Sequence, residues 1–109
     1  MKINQIESVE ILASRFQIIW DYSHDGGNFS CSESTITIGI KSIDKDPLYT
    51  FSVISHEIME IVLVLMGCRF MNGRTGENYL FNFTHQEFEN AIQIHSQALS
   101  KFIPPPAAP

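Results

Sequence analysis

Apolar positions change their rhythm near residue 40, from short alternating clusters to long helical stretches. Ser8-Val9-Glu10-Ile11-Leu12 and Phe16-Gln17-Ile18-Ile19-Trp20 are short, β-branched and aromatic, with polar breaks between them, and predict two strands. Ser-His-Asp-Gly-Gly, between Tyr22 and Asn28, gathers residues that tolerate positive φ and predicts a turn or loop. In Ser34 to Lys41, Ile36, Ile38 and Ile40 alternate with Thr37 and Gly39, so three isoleucines share one face of the clearest strand in the chain.

The second regime begins at Asp46-Pro47, where the aspartate can cap free amides and the proline is preset for the first helical position. A helix is expected from there to about Met66, with Gly67 ending it. From Ile58 to Met66 it is apolar nearly all round, which predicts a buried central helix. Arg69-Phe70-Met71 and Tyr79-Leu80-Phe81-Asn82-Phe83 flank an Asn72 to Gly76 turn and predict a hairpin. Thr84-His85-Gln86-Glu87 matches a capping box and opens a last helix. Phe88, Ile92, His95, Leu99 and Phe102 recur at helical spacing as its expected inward stripe, with His85 on the same side. The expected fold class is α+β: a short, mainly antiparallel sheet packed on the central helix and the C-terminal one.

With 109 residues the chain fits a single domain, expected over residues 1–103, followed by a loose Pro/Ala-rich tail at 104–109. Twelve acidic residues against seven basic ones give a net charge of −5, and the basic residues are scattered, which argues against nucleic acid as a partner. Cys31 and Cys68 lack the spacing of a zinc knuckle or redox pair, and no basic-then-apolar segment begins the chain. The apolar run from Ile61 to Gly67 is too short for a membrane span and follows two glutamates. The expectation is a soluble cytoplasmic protein with no membrane partner.

Charge sits where burial is expected at Ser55-His56-Glu57-Ile58-Met59-Glu60, inside the most apolar helix. His56 and Glu60 fall one turn apart, about 6 Å along the axis, so both can reach one ion. Glu57, rotated to the side, stands where the helical zinc motif carries the residue that polarises the metal's water. A catalytic zinc site takes three protein ligands and leaves one position open. His85, after the Phe-Asn-Phe-Thr segment and on the expected inward face, is the natural third, giving two imidazoles and one carboxylate.

On these residues the chain resembles the zincin metallopeptidases. It looks like a minimal member with a variant HExxE motif and a downstream His, similar to small bacterial and phage proteins with the same pattern. The resemblance covers roughly Ile36 to Phe88 and implies a zincin-like domain, one zinc ion and a peptide or protein substrate. It further implies Glu57 as general base, and an extended substrate paired along the strand Thr35 to Ile40. Glu60 stands where the family carries its second His. Tyr79, Arg74 and His95 are the candidates for stabilising an oxyanion. Two other readings compete: a catalytically silent binding or regulatory module on the same scaffold, and a metal-free polar network of His56, Glu57, Glu60 and His85 that holds two helices together. His24 reads as a loop residue, His95 as a satisfied core histidine and Cys68 as a small apolar group.

Overall fold

The computed structural model describes residues 1–72 and 78–105. β1 (Ser8–Ile11) and β2 (Ser14–Asp21) form an antiparallel hairpin whose tight turn holds Leu12 and Ala13 at positive φ. The chain then passes to β3 (Gly27–Ser30), which reverses through a second turn into β4 (Thr35–Gly39). β4 inserts between its predecessors, parallel to β2 and antiparallel to β3, so the strand order is β1-β2-β4-β3. The four-stranded sheet is therefore mixed: its two outer pairings are antiparallel, in keeping with the mainly antiparallel sheet expected, and its central pair is parallel. β3 occupies part of the expected loop. Gly-Asn-Phe-Ser has weak strand preference, and pairing with β4 rather than propensity makes it a strand.

Alternation gives the sheet one greasy face. Val9, Ile11, Phe16, Ile18, Ile36, Ile38 and Ile40 are all buried on it. α1 (Pro47–Leu65) and α2 (His85–Ser100) cover that face, with α1 over β3 and β4 and α2 over β1, and the two helices also pack on each other. Two layers around one core result.

Both helix starts follow the expected chemistry. The Asp46 carboxylate accepts the Tyr49 amide at 3.2 Å with Pro47 first in the helix. Thr84 Oγ1 accepts the Glu87 amide at 3.1 Å while Glu87 Oε1 accepts the Thr84 amide at 2.9 Å, a complete capping box. Gly67, at φ +73°, turns the chain out of α1, and the Cys68 amide returns to the Leu63 carbonyl. β5 (Arg69–Asn72) and β6 (Asn78–Phe81) then form the expected hairpin, with its turn at 73–77 and the last residues of the tail, 106–109, outside the described residues.

Two packing expectations are corrected. α1 is central but not enclosed, since Leu48, Tyr49, Ser52 and His56 lie open on its outer side. It is also, among the described residues, the one helix long and apolar enough to cross a membrane, although Ile54, Ile58, Ile61 and Val62 of its inner side belong to the core. In α2 the expected inward stripe holds in its second half, where Phe102 is buried, Leu99 packs on the core and His95 meets α1, but it is rotated in its first turns. Ala91 and Ala98 are buried, whereas Phe88 and Ile92 are exposed and Phe88 stacks on Phe83 at 5.9 Å. Small residues at the contact let the helix pack closely, which the larger side chains at 88 and 92 would prevent.

The end of the chain is tied to its start. Phe102 is buried with its ring edge-on to Trp20, and its carbonyl accepts the Asn4 amide at 2.8 Å. Phe102→Ala should cost about 3–5 kcal/mol by leaving a cavity between α2 and the sheet. Urea unfolding measures this, and a loss below about 1 kcal/mol would show that Phe102 does not anchor the core.

Candidate metal centre

α1 carries its polar residues past the edge of the sheet, where β3 crosses it. Gly27 makes that crossing close: a Cβ there would stand 2.9 Å from Val53 Cγ1 and 3.1 Å from Glu57 Cγ. The constraint is one of space, because Gly27 itself has no positive φ, unlike its neighbour Gly26. The Glu57 side chain thus lies beneath an edge strand, and the residue is only 6% exposed.

Here His56, Glu57 and Glu60 come together, each offering one ligand atom and all three atoms within 4.8 Å of one another. His56 Nε2 is 2.7 Å from Glu60 Oε2, the one-turn pairing expected from the spacing. The three differ in burial. The His56 side chain is 65% exposed and the Glu60 side chain 20%. Burial pushes the Glu57 carboxyl above the ordinary glutamate range of 4.5; the imidazole of His56 and the Arg69 guanidinium oppose the shift and Glu60 adds to it.

His85 is not brought to this cluster. The capping box places it at the first position of α2 with its side chain 83% exposed, 3.5 Å from Glu89 one turn on. The same rotation of α2 that turns Phe88 outward turns His85 to solvent. Of the oxyanion candidates, Arg74 lies outside the described residues. His95 Nε2 is 3.0 Å from Ser55 Oγ and ties α2 to α1, as a satisfied core histidine does. His24 is a loop residue, held by Asp21 at 2.9 Å. Tyr79 does reach the site, through a residue that the sequence pattern did not single out. Arg69 of β5 lays its guanidinium 3.6 Å over the Tyr79 ring and 5.3 Å from the Phe29 centroid, with Nε 3.8 Å from Glu60 Oε1. No periodicity marks Arg69 or Gly27, because both matter through elements distant in sequence.

The cluster lies in a trough between β3, α1 and the β5–β6 hairpin. One end is lined by Ser52, Val53 and His56, the middle by Gly27, Glu57 and Glu60, and the far end by Phe29, Val64, Arg69 and Tyr79. A separate concavity of about 510 Å³ lies between the β1–β2 turn and α2, but among the described residues it brings no metal-ligating cluster together. The strand expected to receive a substrate, Thr35 to Ile40, is paired on both sides; among the described residues the open edge beside the trough belongs to β3. Set against known proteins, the chain matches no family model, no curated protein and no solved structure.

Because the folded state holds the Glu57 proton more tightly than the unfolded chain does, stability falls as pH rises from 4.5 through the folded value. Glu57→Gln removes the ionisation. In metal-free protein it should therefore melt above wild type at pH 7, with the gain vanishing below about pH 4. Thermal melts of both at the two pH values check this, and a variant that is less stable at pH 7 would contradict it.

Proposed function

We propose that this protein is a zinc-dependent hydrolase acting on peptides, of the zincin type, with His56 and Glu60 holding the ion and Glu57 as general base. One observation carries the reading: three ligand atoms lie within 4.8 Å of one another on a mainly apolar helix, in a trough beside a strand edge that is unpaired among the described residues. The residues fit a cation. Glu57 is buried beside a second carboxylate, an arrangement that costs free energy unless positive charge offsets it. An imidazole with carboxylates suits zinc, and the oxygen-rich set also makes manganese worth testing.

A bound divalent ion supplies a Lewis acid for the substrate carbonyl and a water of lowered pKa. The remaining steps belong to the chain. An extended peptide pairs with β3 and lies along the trough, its backbone amides and carbonyls satisfied by the open edge. Glu57 accepts the proton of the attacking water at a carboxylate oxygen, and its raised proton affinity suits a base working nearer neutrality. It then gives that proton to the departing amine as the C–N bond breaks.

A second reading is favoured by the position of His85. With that side chain turned to solvent, Glu57 is the third donor in reach of the ion. A Glu57 that binds metal is not free to act as base, and the protein is then a silent zincin-like binding module.

One substitution separates the two. In the hydrolase, Glu57→Gln keeps near-stoichiometric zinc by inductively coupled plasma mass spectrometry and loses peptide cleavage by about 100-fold or more. In the silent module the same variant loses the metal, and wild type cleaves nothing. His56→Ala should empty the site in either case, and His85→Ala should leave it filled. Wild type that takes up neither zinc nor manganese, with a melting temperature unmoved by chelator, would leave only a metal-free polar cluster of His56, Glu57 and Glu60 on α1, since His85 does not join it.

A further inference from the structure

The far end of the trough holds a cation in an unusual state of restraint. The Arg69 side chain is 13% exposed, with its guanidinium 3.6 Å over the Tyr79 ring and facing the Phe29 ring as well. Stacking of this kind fixes the plane of the fork and removes most of the rotamer freedom that an arginine loses on binding. Its nearest carboxylate among the described residues satisfies it poorly: Glu60 Oε1 is 3.8 Å from Nε, beyond hydrogen-bond length, while Glu60 Oε2 is taken by His56 at 2.7 Å. Once Glu60 is engaged by a cation, no other carboxylate among the described residues lies within ion-pair distance of Arg69.

We infer that Arg69 sets the substrate class, by binding a carboxylate of an extended peptide that lies along β3. The inference rests on the trough being the peptide site proposed above. Its geometry adds a position. Glu57 lies under Gly27, and Arg69 faces Phe29, two residues further along the same strand face. Two strand residues span about 7 Å, so a paired ligand presents its carboxylate about two residues from the bond that Glu57 serves. The other end offers no stacked cation among the described residues: Ser52 and Val53 carry no charge, and the His56 imidazole there is paired with Glu60. The carboxylate can come from an Asp or Glu side chain or from a chain end, since a planar fork takes either in the same way.

The test uses immobilised, zinc-loaded full-length Glu57→Gln protein, alone and combined with Arg69→Gln or Arg69→Lys. Each form is exposed to two degenerate peptide pools. One is acetylated and amidated and contains Asp and Glu, and the other lacks both but has a free C-terminal carboxylate. Retained peptides are read by mass spectrometry, and zinc is measured on the same beads.

About tenfold enrichment of Asp and Glu over Asn and Gln at one position, lost with Arg69→Gln and reduced with Arg69→Lys, supports the inference. Retention of the free-carboxylate pool with the same Arg69 dependence supports it too and assigns the carboxylate to a chain end. No Arg69-dependent retention of either pool, or enrichment that survives Arg69→Gln, overturns it. The zinc measurement keeps the two ideas apart. Zinc without an acidic preference sinks this inference alone. An Arg69-dependent preference on beads without zinc sustains it and, because Glu57→Gln has then lost the metal, removes the hydrolase reading. Absence of both removes both.

Discussion

Glu57 lies where α1 passes beneath β3, and the absence of a side chain at Gly27 lets the two backbones come that close. The crossing sets much else. It places a carboxylate under the edge of a sheet, with His56 outward of it, Glu60 one turn on and Arg69 across the trough. A carboxylate in that position is expensive to leave bare, so the surrounding charges form one balanced set rather than separate pairs. The core supports the arrangement from below. Ile54, Ile58, Ile61 and Val62 hold α1 on the sheet, and the polar motif faces the seam because those apolar positions have fixed the helix rotation.

Much of this was legible in the sequence wherever the cause is local. The start of α1 at Asp46-Pro47, the Thr84–Glu87 capping box, the exit at Gly67 and the alternation of Ile36, Ile38 and Ile40 each depend on residues within a turn or a strand of one another. The pairing of His56 with Glu60 is of the same kind. What could not be read depends on how elements meet. Gly-Asn-Phe-Ser becomes a strand only because β4 lies beside it, and β4 is central only because the chain doubles back past it. The periodicity of α2 admits two stripes one residue apart. In its first turns the helix turns Ala91 inward rather than Phe88 and Ile92, and the same rotation leaves His85 facing solvent.

The trough is asymmetric in its chemistry. Its Ser52 end carries small side chains and the exposed His56 imidazole, whereas its Tyr79 end combines two aromatic rings with a fixed guanidinium. Such a surface gives a bound chain a direction as well as a place. The ring planes limit how far Arg69 can follow its ligand, so recognition there depends on geometry more than on net charge. That matters in a protein whose overall charge, at −5, repels acidic ligands at long range.

The hydrogen bond from the Asn4 amide to the Phe102 carbonyl, joined by Asn4 Nδ2 to the Lys101 carbonyl at 3.1 Å, brings both extremities of the fold to one spot. The domain is in effect a closed ring, with its entry and exit side by side at the C-terminal end of α2 and the trough built from other segments. A fold wired in this way can be spliced into a surface loop of a larger host through two short connectors, because the host need open no wider than the gap between two paired backbones.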